Sequence, residues 1–245
     1  MSKDQRTPAK PGQQKDRSPV KISSSDEVSS FLDKVKSLGV SKNTGKRGRL
    51  IFAMDATMSR QPTWDMALGL QAGMFSAVKA VGGLDVQLVY FRGFGECRNS
   101  KWVADPEALA KLMTQVSCRG GQTQINRVLS HARIENDREK VNALIYVGDC
   151  MEENIDDLSA IAGELGLLGV PVFLFQEGHD QSAQLGFREL ARLTGGAYCR
   201  FDAGSAAQLR ELLSAVAVYA AGGRKALENY SGGKGGATAL LEQLS

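Results

Sequence analysis

The sequence predicts an α/β fold: a doubly wound, mostly parallel six-stranded sheet with one antiparallel edge strand and helices on both faces. Three observations carry this. Short, unalternating apolar runs such as ALIYVGD (143–149) and VPVFLFQEG (170–178) read as parallel strands covered on both sides. Segments with apolar residues at helical spacing separate most of these runs. Two further strand-like segments, 85–92 and 97–103, lie too close together for a helical crossover, so they must pair as an antiparallel hairpin.

In chain order, strands are expected near 49–55, 85–92, 97–103, 143–148, 171–176 and 197–202. Helices are expected near 64–81, 106–116, 124–135, 156–168, 182–194 and 205–220. The first of these helices is apolar along Trp64, Leu68, Phe75, Val78 and Val81, the stripe of a helix laid on a sheet. Before the first strand, residues 1–22 are rich in Lys, Pro, Gln and Ser and are expected to be disordered. SSSDEVSSFLDKVKSLGV (23–40) follows, with Val28, Phe31, Leu32, Val35 and Leu38 at helical spacing after a Ser/Asp capping signal. Beyond 221 the composition turns to glycine, at 222, 223, 232, 233, 235 and 236. The division is therefore 1–46, a disordered basic tail and short amphipathic helix; 47–221, the α/β domain; and 222–245, a Gly-rich linker with a short apolar segment. That last segment puts Leu240, Leu241 and Leu244 on one helical face. It is too short to hold a helix alone, so it is expected to dock in a groove of a partner or of this domain.

Charge excludes one class of function. The 245 residues carry a net +3, but six Lys/Arg against two Asp in 1–22 already give +4, leaving about −1 for the rest. The domain is not a nucleic-acid binder by charge. The N-terminus has no apolar h-region, and no run approaches the 18 or so apolar residues of a membrane span, so neither export nor a membrane partner is expected. Cys97, Cys118, Cys150 and Cys199 lack C-x-x-C spacing. Reduced thiols and a cytoplasmic location are the expectation.

In doubly wound folds, ligands bind outside the carboxyl ends of the strands, where strand order reverses. Three segments place oxygen ligands at that edge. The first strand ends in Asp55-Ala-Thr57-Met-Ser59; CRGGQTQI puts Thr123 behind Gly120 and Gly121; and the fourth strand ends in Gly148-Asp149. Two carboxylates on neighbouring strands repel each other unless a cation sits between them. Three hydroxyls and two carboxylates are hard ligands that suit Mg²⁺ or Mn²⁺, while calcium prefers more ligands and longer bonds. The expected metal ligands are thus Asp55, Thr57, Ser59, Thr123 and Asp149.

With these three parts in order, the chain resembles the von Willebrand factor A (VWA) domain and its metal-ion-dependent adhesion site, the MIDAS. That site reads D-x-S-x-S, a Thr after a Gly-rich turn, and an Asp after a strand. The resemblance spans roughly 48–220 and departs at Thr57, where Ser is usual; the hydroxyl is kept. The family implies a metal-dependent protein-protein interaction module of cytoplasmic bacterial type, not an enzyme. Its electrophilic Mg ion takes an Asp or Glu of a partner protein. It further implies an adaptor or assembly role, beside an AAA-type ATPase or chaperone.

Two other readings compete. GDCMEENIDD together with Asp55 is similar to haloacid-dehalogenase-type phosphatases, in which Asp55 would be nucleophile and Asp149 would hold Mg²⁺. That chemistry wants an Asp two residues after the nucleophile, where this chain has Thr57, and it leaves Thr123 unexplained. The third reading is a VWA scaffold whose metal is only structural. Dinucleotide binding and serine hydrolysis lack their G-x-G-x-x-G and G-x-S-x-G signatures. Elsewhere, His179 reads as an exposed loop residue, and Phe94 and Trp102 as sheet packing. Glu152, Glu153, Asp156 and Asp157 read as favouring the N-terminus of the following helix.

Overall fold

The structure is a computed structural model, and it describes residues 47–79, 81–201, 206–230, 237 and 240–244. The expected tail and amphipathic helix of 1–46 lie outside these residues. The eight residues of β1 (Gly48–Asp55) are all buried. Leu50, Phe52 and Met54 enter one apolar cluster, and Ile51 and Ala53 the other. A strand whose alternate side chains both find apolar cover must lie inside a sheet with helices on both faces. β1 pairs in parallel with β2 (Leu84–Arg92) on one side and β4 (Ala143–Gly148) on the other. β5 (Val172–Glu177) and β6 (Ala197–Phe201) extend the sheet in parallel beyond β4. β3 (Glu96–Val103) closes the opposite edge antiparallel to β2, giving the order β3-β2-β1-β4-β5-β6. The six-stranded, mostly parallel sheet with one antiparallel edge is as the sequence predicts.

The first helix expected is two. α1 (Gln61–Leu70) begins early, with proline in its first turn, and gives way to α2 (Ala72–Ala77) around Gln71. α3 (Pro106–Thr114) is capped by Asp105, whose side chain accepts from the Ala108 N–H at 2.8 Å. α1, α2, α3 and α7 (Ala206–Tyr230) cover one face of the sheet; α4 (Ile125–Arg138), α5 (Ile155–Leu167) and α6 (Gln181–Thr194) cover the other. No helix among the described residues is long and apolar enough to cross a membrane.

The chain end differs from a plain linker. α7 runs on to Tyr230 across a break at Gly223, the residue that takes φ 68°, ψ −167°. Residues 224–230, read as linker from their glycine-rich surroundings, are helical because Leu227 is fully buried in the first cluster. Leu240 and Leu244, at 0% and 6% exposure, join the same cluster. The Gln243 side chain accepts the Tyr198 N–H of edge strand β6 at 2.8 Å, and Arg224 donates to the Leu244 carbonyl at 2.5 Å. The apolar segment therefore docks on this domain.

Candidate metal centre

The site lies at the carboxyl ends of β1 and β4, on either side of the point where strand order reverses. β1 carries Asp55 to that edge, and only 2% of the residue is exposed. The chain then turns, because the Asp55 carboxylate accepts the Thr57 N–H at 2.7 Å, and a 3-10 turn over Met58–Arg60 leads into α1. This leaves Thr57 half-buried and Ser59 exposed, with their hydroxyls 3.4 Å apart.

Thr123 arrives from a loop tied down on both sides. Arg119 N–H donates to the Ala56 carbonyl at 3.0 Å, and Gln122 N–H to the Gly93 carbonyl at 3.1 Å. Gly121 is needed for this approach: a Cβ there would lie 2.2 Å from the Gly93 nitrogen. At Gly120 a Cβ meets nothing within 4 Å, so the pair of glycines is not equally constrained. The Thr123 hydroxyl accepts the Glu152 N–H at 3.0 Å, and Glu152 returns a carboxylate to the Thr123 N–H at 2.8 Å. Glu153 likewise accepts from Asn126 N–H at 2.8 Å. Glu152 and Glu153, expected to serve the next helix, instead bind the loop and first turn at the start of α4, where the Thr123 and Asn126 N–H groups offer donors. Asp156 and Asp157 do lie in the first turn of α5.

A cavity of about 200 Å³ collects Asp55, Thr57, Ser59 and Thr123, with Met58, Gly120, Gly121, Cys150 and Glu152. Asp149 is absent from its wall but close behind it. Its charge reaches Asp55, and its Oδ2 lies 3.2 Å from the Arg60 Nη2. Four of the five expected ligands thus share one cavity, with the fifth beside it.

The electrostatics of the cavity are unbalanced. Burial pushes the Asp55 carboxyl up from 3.8 to about 6; the hydrogen bonds from Thr57 pull the other way, the Asp149 charge adds to the rise, and Arg60 opposes it. Asp55 Oδ2, Asp149 Oδ1, Glu153 Oε2 and the Tyr146 hydroxyl are all buried with no hydrogen-bond partner. Burial holds the Tyr146 hydroxyl in its neutral form, and the charges of Asp55 and Glu153 add to this. Orphaned buried oxygens on two neighbouring carboxylates are unfavourable by themselves and fit a hard cation that would take both. Among the described residues no group of three or more His, Cys, Asp and Glu forms a metal cage, so hydroxyls would have to complete the set. Such oxygen sets suit Mg²⁺ or Mn²⁺.

Two residues escaped the sequence reading. Arg60, directly after Ser59, spans Asp149 and Glu177. Glu177 ends β5 as Asp149 follows β4, and that equivalent placement is the signal that could have found it. Phe94, read as sheet packing, is 86% exposed at the hairpin tip, because the turn carries it past the end of the sheet. Trp102 is packed as expected, with the Arg49 guanidinium 4.0 Å above its ring. His179 is exposed.

No family model matches the chain, and no curated protein matches it in sequence. Solved structures do match its fold. The VWA domain of SpRpn10 aligns at TM-score 0.54 and 10% identity, over 69% of this chain and 93% of that one. BatB from Bacteroides thetaiotaomicron, a conserved hypothetical protein, aligns at 0.52 and 16%, over 75% and 98%. Proximal thread matrix protein 1 from the mussel byssus, solved with a zinc-occupied MIDAS motif, aligns at 0.54 and 17%, over 70% and 45%. The fold is that of VWA domains.

Proposed function

We propose that this chain is a metal-dependent protein-interaction module in which Asp55, Thr57, Ser59, Thr123 and Asp149 hold one Mg²⁺ or Mn²⁺. The observation that carries the reading is the pair of buried, unpartnered oxygens, Asp55 Oδ2 and Asp149 Oδ1, at the switch point of the sheet. The zinc-occupied MIDAS of the mussel protein supports it by showing that this fold can hold a divalent cation at such a motif.

Each residue has a task in this account. Asp55 supplies charge from the rigid end of β1, and Thr57 fixes its rotamer through the backbone hydrogen bond. Thr123 is oriented by its exchange with Glu152, which uses the hydroxyl as an acceptor and leaves its own proton free to point elsewhere. Ser59, on the exposed rim, stands where a partner would approach. When bound, the cation supplies a Lewis-acidic position for a carboxylate oxygen from outside. The partner is accordingly a protein presenting an Asp or Glu. An adaptor or assembly role in the cytoplasm, beside an AAA-type ATPase or chaperone, belongs to the same proposal and rests on the family resemblance of the motif. The phosphatase reading lacks a general acid, since Thr57 occupies that position.

Affinity capture in Mg²⁺, repeated with chelator and with Ser59→Ala, tests the reading. A partner held through the cation is released by both, and magnesium restores it to the wild type. Capture that ignores chelator contradicts the mechanism; capture lost to chelator but kept by Ser59→Ala points to a scaffold whose metal is structural.

A further inference from the structure

The Arg60 side chain is only 13% exposed, although it follows the rim residue Ser59. Its guanidinium is placed by an anchor on a different strand. Nη1 is paired with the Glu177 carboxylate, which also accepts the Thr63 hydroxyl, and Glu177 itself is 6% exposed. Nη2 then lies 3.2 Å from Asp149 Oδ2, and Nε lies 3.4 Å from the Ser59 hydroxyl. The two oxygens of Asp149 are therefore unequal. Oδ2 is ion-paired with the partly buried guanidinium of Arg60, while Oδ1 is buried with no hydrogen-bond partner.

That inequality bears on which metal the site accepts. Calcium takes six to eight oxygens and readily draws both oxygens of one carboxylate. Magnesium demands six ligands in a tight octahedron and takes carboxylates through single oxygens. A carboxylate with one oxygen already committed to an arginine can offer only the other. We propose that Arg60 is a positioning residue that sets metal selectivity: by occupying Asp149 Oδ2 it restricts that ligand to one oxygen and so disfavours Ca²⁺ relative to Mg²⁺. The inference rests on the proposed site, but it concerns selectivity and not the existence of binding.

Two effects of removing Arg60 have to be separated. Losing a positive charge beside the ion strengthens binding of every divalent cation, because repulsion between like charges falls. That change acts on Mg²⁺ and Ca²⁺ alike and cancels in the ratio of their affinities. Freeing Asp149 Oδ2 helps only the ion that can use it. The ratio is therefore the informative quantity, and a purely structural role for the Arg60–Glu177 pair would leave it unchanged.

The test is calorimetric titration of the full chain with Mg²⁺ alone and Ca²⁺ alone, for wild type, Arg60→Met and Arg60→Lys. Arg60→Met should lower the Mg²⁺/Ca²⁺ affinity ratio about tenfold, a change of about 1.4 kcal/mol. Arg60→Lys keeps a donor that can still engage Oδ2 and should stay near the wild-type ratio. Should Arg60→Met fail to fold, Glu177→Gln loosens the anchor of the same guanidinium and should shift the ratio in the same direction. An unchanged ratio in Arg60→Met, or in Glu177→Gln where it stands in, overturns the proposal. So does a Lys variant that falls as far as Met. A wild type that binds neither ion would instead overturn the metal site itself, so the two failures are distinct.

Discussion

Replacing Asp55 by asparagine should stabilise the metal-free domain at neutral pH. Burial raises the Asp55 carboxyl from 3.8 to about 6. The folded value is the higher, so the folded state holds this proton more tightly than the unfolded chain does. Stability therefore falls as pH rises from 3.8 through about 6, and the loss is complete above that range. At about 1.4 kcal/mol per pH unit, the ionised Asp55 destabilises the metal-free fold by about 3 kcal/mol. Asparagine removes the charge, keeps an oxygen to accept the Thr57 N–H, and relieves the repulsion from Asp149. For a domain of this size a kcal/mol moves Tm by about 2–4 °C, so the gain is about 6–12 °C. The assay is scanning calorimetry of both proteins in chelator at pH 7.5 and again at pH 5. The advantage of Asp55→Asn should narrow on acidification, as the wild-type carboxyl takes up its proton, and Mg²⁺ should raise only the wild type. A variant less stable than wild type in chelator at pH 7.5, or a gap indifferent to pH, would refute the electrostatic argument.

Gly121→Ala drives a Cβ into the Gly93 backbone and should lower stability by about 1–3 kcal/mol in denaturant unfolding, whereas Gly120→Ala should change it by less than about 0.5 kcal/mol. Leu240→Ala removes a fully buried side chain from the first apolar cluster and should cost about 2–5 kcal/mol, which shows that the C-terminal segment is part of the fold. An unchanged midpoint would return that segment to the status of a free tail. Burial pushes the thiols of Cys97, Cys118 and Cys199 up to about 11, and that of Cys150 to about 12. Alkylation by iodoacetamide at pH 7.5 should therefore be slow in the native protein, and unfolding without reductant should release four reactive thiols.

The parts of the fold that show in the sequence are those governed by local pattern. β1, β4 and β5 are continuous apolar runs because both faces of each are covered, and the β2–β3 hairpin follows from a connection too short to cross over. The candidate ligands are equally legible, since Asp55, Thr57 and Ser59 lie within five residues and Asp149 ends a strand of the same kind. What escapes local pattern is set by distant neighbours. Nothing local singles out Arg60; its role shows only when the fold brings up Glu177, 117 residues away. Glu152 and Glu153 read as acids for the next helix, yet their partners are the Thr123 amide of an earlier loop and the Asn126 amide in the first turn of α4. The glycines after 221 hide a helical turn because composition cannot tell that Leu227 meets the core, nor that within Ala206–Tyr230 the helix breaks at Gly223.

The central claim is that two carboxylates and three hydroxyls at the sheet's switch point bind one small divalent cation. Its most direct test is the melting temperature of the purified chain in chelator, in Mg²⁺ and in Mn²⁺. An ion that binds only the folded state stabilises it by about 2.7 kcal/mol at 100 times its Kd. That corresponds to a rise of about 5–11 °C over the chelator melt. Asp149→Ala should abolish the rise while the domain still melts cooperatively in chelator. The same melting temperature in chelator, Mg²⁺ and Mn²⁺ would contradict the claim.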